Sequence, residues 1–322
     1  LYSGDIGDAL QAIRDGIGKV VFHLHWTNYI LREANNLEDA ERLKNIFLKK
    51  LFEFLALGGS LIWTIHNVLP HDCLYLKQEI ELRNIICIAA SKIHIHSASS
   101  LPEIKKHLNV PSEKVAVVPH GNYVGVYPNN MNRDEARRKF NFTSEQTVFL
   151  FLGQIRKYKG IEDLIIAFNR VQQKFPHSHL LIAGKSMEPI NLEELDITPE
   201  VKSKITLIEK YIPENELQHF YHAADVAVLP YTKILTSGSL LNAMSFSCPV
   251  IVPRVGMTEE IIQDGHNGYL YELKNLESLV QTMIKIITLE SDDKNKLREQ
   301  SLISIKHLIW QNTSAKIFQD IV

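Results

Sequence analysis

Apolar residues along the chain follow two alternating rhythms. Short β-rich runs read "KVVFHLHW", "SLIWTIHN", "IICIAASKIHIHS" and "KVAVVPHG" in the first half, then "TVFLFLG", "HLLIAG", "KITLIE", "DVAVLPY", "CPVIVP" and "GYLYE" in the second. Stretches of helical spacing separate them, and strand followed by helix, repeated, is the pattern of parallel sheets built from βα units. In "EDAERLKNIFLKKLFEFLALG" the residues Leu43, Ile46, Phe47, Leu51 and Phe54 fall on one helical face, with Lys44, Lys49 and Lys50 largely off it. The stretch predicts a helix packed on a sheet; its lysines leave a membrane-surface helix as the alternative. Another helix follows Ser100, and "YVGVYPNNMNRDEARRKF", from Tyr123 to Phe140, breaks both rhythms and marks a linker. The expected fold class is α/β, with two doubly wound Rossmann-like domains facing each other across a cleft. Their boundaries are 1–128 and 140–305, followed by a C-terminal helix over 306–322 that packs back on the first domain.

Composition narrows the field. The 322 residues exceed the roughly 100–200 of a common single domain. With 45% hydrophobic and 22% charged residues, the chain has the make-up of an ordinary globular protein. A formal charge of −2 offers no global attraction to nucleic acid or to an anionic membrane, so an anionic ligand has to be held by local charge. The three cysteines, Cys73, Cys87 and Cys248, are far apart and lack zinc or disulfide spacing, which suits a reducing compartment. No apolar run reaches the roughly 18 residues of a membrane span, and no signal-peptide pattern opens the chain. The expected location is cytoplasmic, with peripheral contact at the inner membrane face at most.

The stretch "FLFLGQIRKYKGIEDLIIAF" carries the clearest chemistry. Gly153 permits a tight exit from a strand, and the helix opening at Gly160 sets Ile161, Leu164, Ile165 and Phe168 against the sheet. The turn therefore sits at the carboxyl edge of a parallel sheet, where the free N–H groups of a helix start attract anions. Arg156, Lys157 and Lys159 complete an anion site suited to nucleotide phosphates, unless the loop is simply a solvated basic turn. The G-x-x-x-x-G-K-[ST] loop is missing, and "GIG" at Gly16 lacks the third glycine of a dinucleotide fingerprint, which disfavours ATPase and dehydrogenase chemistry.

"FLGQIRKYKGIEDLI" resembles the donor-phosphate loop of retaining glycosyltransferases of the GT-B fold, glycosyltransferase family 4, also called glycosyl transferases group 1. Gly153, Lys159 and Gly160 match that loop, Gln154 replaces its usual arginine, and Arg156 stands two residues further on. "LIEKYIPENELQHFYHAADVAVLPY" and "LLNAMSFSCPVIVPRVGMTEEIIQDGHNGYLY" resemble the family's base-binding and sugar-binding segments, in the family's order. The resemblance implies base and ribose near Tyr211 and Asn242, and distal phosphate and sugar at Thr236, Ser237, Gly238 and Ser239. It departs at the family's glutamate pair, whose positions fall on Ile234 and Asn242; the amide can still bond a ribose, the isoleucine cannot act as a carboxylate. Ser237 and Ser239 could equally be helix caps.

In the first half, "LIWTIHNVLPHD" resembles the family's strand ending in a cleft-side histidine, which would be His66, a donor-sugar contact with a catalytic role beside Arg156 and Lys159. His71, Asp72, Trp26, His120, Gly121 and Asn122 are the acceptor or cleft candidates; Trp26 could also be core. His94 and His96 alternate on one strand face without carboxylates, and the resemblance implies no metal and no cofactor, the nucleotide-sugar being a co-substrate. Relatives open with a strand and glycine-rich loop before a helix like Gly7–Gly16, so a leading segment is expected to be missing. The resemblance implies a hexosyltransferase that moves sugar from a UDP- or GDP-sugar to a saccharide or lipid-linked acceptor with retention, in bacterial surface polysaccharide synthesis. Two other readings stay open, a nucleotide-sugar 2-epimerase on the same fold and a catalytically silent subunit supporting a partner enzyme.

Overall fold

The computed structural model describes residues 3–69, 73–232 and 235–321. Its contacts divide the chain into two compact units, Leu1–His120 with Gln311–Val322, and Gly121–Trp310.

The first unit holds four parallel strands, β1 (Val21–Leu24), β2 (Ser60–Thr64), β3 (Lys92–Ile95) and β4 (Val115–Val117), in the order β1-β2-β3-β4. The register pairs Leu24 with Trp63, Thr64 with His94, and Ile95 with Val117. Because the strands are parallel, the residues just past their ends emerge along one edge of the sheet. Helix Leu37–Ala56 covers the sheet, but its buried face is Ala40, Lys44, Phe47, Leu48, Leu51 and Phe54. Lys44 is buried where the sequence pattern set it outside, because its ammonium is held between Glu41 and Glu81 at 2.7 Å each; Ile46 is exposed instead. The run read as one strand from Ile85 to Ser97 divides: Leu76–Ala89 is a helix and only Lys92–Ile95 is strand. Its apolar residues Leu82, Ile86 and Cys87 recur at helical spacing over buried Glu79 and Arg83. From the chain's end, Thr313 donates to the Pro119 carbonyl at 2.8 Å.

The second unit holds β5 (Thr147–Leu152), β6 (Ser178–Ala183), β7 (Ile205–Ile208), β8 (Val226–Val228), β9 (Val250–Pro253) and β10 (Tyr269–Tyr271). They form one parallel sheet in the order β10-β9-β8-β5-β6-β7. Successive strands build outward from β5 in one direction, then the chain returns and builds from β8 in the other. The switch point lies between β5 and β8, the place where doubly wound sheets bind ligands. Every residue of β5 and β6 is buried, as strands covered on both faces require. Phe149, Phe151 and Phe168 are fully buried, each stabilising the unit by about 1.5–3 kcal/mol. At the amino end of the switch, Asp225 binds Arg133 at 2.5 Å, Arg137 at 2.7 Å and the Val148 amide at 2.7 Å. The stretch expected as a linker thus contributes helix Arg133–Lys139 to this unit, opened by a capping box of Asn132 and Glu135.

Candidate active site

In the second unit the switch point assembles the phosphate loop from its glycines upward. Gly153 leaves β5 at φ +152°, and a Cβ on Gly184, at the exit of β6, would lie 1.7 Å from the Gly153 carbonyl oxygen. Gly160 sits at φ +68°, where a Cβ would fall 2.0 Å from the Pro230 carbonyl oxygen. Glycine is therefore required where the exit of β8 presses on the start of helix Ile161–Lys174. Thr232 ties the two loops together, its amide and hydroxyl both donating to the Tyr158 carbonyl at 3.0 and 3.1 Å. The Lys159 ammonium lies 3.9 Å from the centroid of the Tyr231 ring, which fixes a flexible cation by a cation–π contact. Gln154, standing where relatives carry arginine, accepts from Arg156 Nε at 3.3 Å and so orients the guanidinium.

Helix Gly238–Ser245 starts beside this loop, the Ser239 hydroxyl lying 3.5 Å from where a Gly153 Cβ would stand. Ser237 is its N-cap, buried, with Oγ accepting from the Leu240 amide at 3.2 Å, so its hydroxyl is engaged in capping. Gly238 lies against the Tyr123 hydroxyl, 3.0 Å from where its Cβ would be. Thr236 Oγ1 and Asn242 Oδ1 are buried without a hydrogen-bond partner. Such atoms cost about 1–3 kcal/mol when unmet, so the two, one just ahead of this helix and one in its second turn, call for an explanation that a polar ligand would provide. Tyr211 stands apart, exposed beyond edge strand β7 with its hydroxyl donated to Glu214 at 2.8 Å. Gly121 and Asn122, expected as cleft residues, are buried inside this unit. A Cβ on Gly121 would meet the Trp310 ring at 2.4 Å, and Asn122 donates from Nδ2 to the Ile305 carbonyl at 2.7 Å.

The first unit gathers histidines at the carboxyl ends of its strands. His96 Nδ1 bonds the Val118 carbonyl at 2.9 Å, His96 Nε2 bonds His66 Nδ1 at 3.2 Å, and His66 Nε2 bonds His25 Nδ1 at 3.0 Å. His23 bonds the Thr64 hydroxyl at 2.7 Å, and His120 stands edge-on to His96 with centroids 5.3 Å apart. Trp26 stacks on His66 at 4.5 Å and 18°, yet stays 49% exposed, so it is not a core residue. Burial, followed by neighbouring imidazoles, pushes His23 and His66 down to about 3, and burial pushes His96 to about 4. His25 is lowered for the same two reasons. Among the described residues no group of three or more His, Cys, Asp or Glu side chains is arranged to hold a metal ion. The rings bond one another instead of converging on a point.

A buried ion pair holds the loops that carry these rings. Arg83 binds Glu79 at 2.7 Å and donates to the carbonyls of Asn67 and Val68 at 2.8 and 2.7 Å, while Thr27 donates to Glu79 at 2.6 Å. The clamp was not foreseen; its signal is an i,i+4 Glu–Arg pair on the apolar face of a helix. His71, Asp72 and Ile234 lie outside the described residues.

Over 251 residues, 78% of the chain, the sequence is 27% identical to the GDP-mannose:glycolipid 4-beta-D-mannosyltransferase of Xanthomonas campestris pv. campestris, covering 66% of that protein. Over 274 residues, 77% of the chain, it is 23% identical to the lipopolysaccharide 1,2-N-acetylglucosaminetransferase of Salmonella typhimurium, covering 70% of it. The chain thus spans about two thirds of the length of these relatives. Two solved structures align over nearly the whole chain: sucrose-phosphate synthase of Thermosynechococcus elongatus, and Anabaena HepE in complex with UDP. The first has a TM-score of 0.72 at 16% identity over 97% of this chain and 75% of that one. The second has a TM-score of 0.72 at 14% identity over 98% and 80%. The fold is that of the GT-B glycosyltransferases. Residues 132–302, more than half of the chain, match the family model described as glycosyl transferases group 1, and the chain belongs to that family.

Proposed function

We propose that the protein is a hexosyltransferase that moves a sugar from a UDP- or GDP-linked donor to a saccharide or lipid-linked acceptor in bacterial surface polysaccharide synthesis. The observation that carries this reading is the switch point of the second unit. Two cations, a glycine turn and a helix start meet there beside two buried polar atoms without partners, Thr236 Oγ1 and Asn242 Oδ1. On this reading the diphosphate binds Arg156, Lys159 and the amides of residues 237–239. The ribose bonds Asn242, and the base lies towards Tyr211. Trp26 and the histidines of the first unit belong to the sugar and acceptor side.

As the glycosidic C–O bond breaks, negative charge grows on the distal phosphate oxygen. Fixed cations and amides stabilise that charge more than they stabilise the bound donor, which is how they accelerate the step. In this scheme Lys159 and Arg156 neutralise the leaving group and no metal is required. The family resemblance implies retention of configuration, with the leaving phosphate helping to take the acceptor's proton. The printed names of the Xanthomonas and Salmonella relatives support a glycolipid or lipopolysaccharide acceptor. No described helix is long and apolar enough to cross a membrane.

The absence of the family's glutamates at positions 234 and 242 favours one other reading, a catalytically silent subunit that supports a partner enzyme. Thermal unfolding against UDP, GDP, ADP and their common sugar conjugates separates the two. A ligand at 100 times its dissociation constant stabilises by about 2.7 kcal/mol. One base should give a clear shift that collapses in Lys159→Ala, and the matching nucleotide sugar should be consumed. Binding without consumption supports the silent subunit, and no shift with any nucleotide removes the hexosyltransferase reading and makes the silent subunit the leading one.

A further inference from the structure

Within the second unit, Tyr123 lies along the helix that starts beside the phosphate loop. Its amide donates to Ser245 Oγ at 3.0 Å, and Ser245 donates to the Leu241 carbonyl at 2.6 Å, which anchors the tyrosine backbone at the carboxyl end of helix Gly238–Ser245. The hydroxyl of the same residue reaches the other end of that helix, 3.0 Å from where a Cβ on Gly238 would stand. At about 1.5 Å per residue the two ends are about 10 Å apart, a span that a tyrosine laid against the helix largely covers. Two rings hold it in that line. Tyr127 stacks on the phenol with centroids 5.6 Å apart at 15°, and Trp310 stands edge-on at 6.3 Å and 72°.

The helix start is thus approached from two sides. Ser239 is turned to the phosphate loop, its hydroxyl 3.5 Å from where a Gly153 Cβ would stand, and Arg156 and Lys159 belong to that loop. Successive helical residues project about 100° apart, so Gly238, with the Tyr123 oxygen against it, looks to another flank of the same helix start. A side chain at 238 would take the space of that oxygen, and glycine leaves the hydroxyl at the first amides of the helix. Burial, followed by the neighbouring Tyr127, pushes the Tyr123 hydroxyl above its ordinary value, so it keeps its proton and stays a donor at neutral pH.

We propose that the Tyr123 hydroxyl is a catalytic residue of the transfer, donating a hydrogen bond to the distal phosphate of the nucleotide sugar from the flank away from the phosphate loop. This inference rests on the glycosyltransferase reading, and it adds to the site a residue from a stretch that reads along the sequence as a linker. As the bond between the anomeric carbon and the phosphate oxygen breaks, its electron pair stays on that oxygen. The phenol then donates to a growing negative charge, a contact stronger in the transition state than in the bound donor. A nucleoside monophosphate ends before the distal position, so the phenol acts only on ligands that carry the second phosphate.

The test compares nucleoside mono- and diphosphates on the full chain. UDP, UMP, GDP and GMP are titrated calorimetrically into wild type and Tyr123→Phe, and the pair whose base binds is followed. Phenylalanine keeps the ring contacts with Tyr127 and Trp310, so the melting temperature without nucleotide should stay at the wild-type value. Diphosphate affinity should fall about 10–100-fold, as one hydrogen bond to a charged oxygen implies, with monophosphate affinity unchanged. The ³¹P resonance of the distal phosphorus in the bound diphosphate should differ between wild type and variant, while the proximal one stays in place. Consumption of UDP-glucose, UDP-N-acetylglucosamine or GDP-mannose, whichever carries the base that binds, should slow about 10²-fold. A merely structural role would move mono- and diphosphate affinities together, and that outcome, or an unchanged diphosphate affinity, overturns the proposal. A wild-type protein that binds none of the four nucleotides overturns the glycosyltransferase reading, and this inference with it.

Discussion

The clamp under the histidine loops gives the sharpest stability prediction. Arg83→Ala removes a guanidinium whose side chain is 3% exposed and which bonds Glu79, the Asn67 and Val68 carbonyls and, at 3.4 Å, the Asn67 side chain. What remains is a Glu79 carboxylate only 2% exposed, with the Thr27 hydroxyl still donating to it, and two carbonyls without their donor. Breaking one partner of such a pair costs about 3–5 kcal/mol, because the surviving charge stays buried. Against a total of about 5–15 kcal/mol for a domain, that is enough to unfold a large fraction at modest urea. Urea titration followed by tryptophan fluorescence is the assay, since Trp63 is buried in this unit with the Arg83 guanidinium 5.8 Å from its ring centroid. With a slope of about 1–3 kcal/mol per molar urea, the midpoint should fall by about 1 M or more. Glu79→Ala should cost less than Arg83→Ala, and the double variant should cost far less than the sum. A loss under about 1 kcal/mol, or strict additivity of the two, would refute the reasoning.

Three further outcomes follow from named contacts. Gly160→Ala forces a left-handed residue at about 1–2 kcal/mol and drives a Cβ onto the Pro230 carbonyl, so it should lower the melting temperature and abolish the nucleotide shift together; a variant that still binds nucleotide at wild-type affinity contradicts the close approach. Asn242→Leu replaces a half-buried amide whose buried Oδ1 has no partner, so the apo protein should be as stable as wild type or more so while nucleotide affinity drops, which paired melts with and without ligand will show. Because His23, His66 and His96 titrate at about 3, 3 and 4 when folded and near 6.5 when unfolded, the unfolded chain binds more protons in between. Their contribution is therefore complete above 6.5 and is lost as pH falls through that window, and urea midpoints measured from pH 7 to 4 should decline accordingly.

What could be read along the chain and what could not divide by the range of the interaction. Strands β5 and β6 are legible because a strand buried on both faces has to be a continuous apolar run, and the glycines at 153 and 160 mark turns that only their backbone freedom permits. Ile85 to Ala89 misleads for the same reason: a short apolar run serves a buried strand or the inner face of a helix equally well, and here it lies in helix Leu76–Ala89. That single misreading hid the clamp, since Glu79 and Arg83 are an i,i+4 pair only once a helix carries them. Lys44 reads as outward-facing because one of its two partners, Glu81, comes from another helix, a contact no local pattern contains. Along the chain His66 reads as a sugar contact and His96 as one of an alternating pair without carboxylates, while His25 stands on a third run. Their meaning lies in the parallel register, which brings the ends of β1, β2 and β3 to one edge and makes three separate imidazoles into one chain hung from a carbonyl.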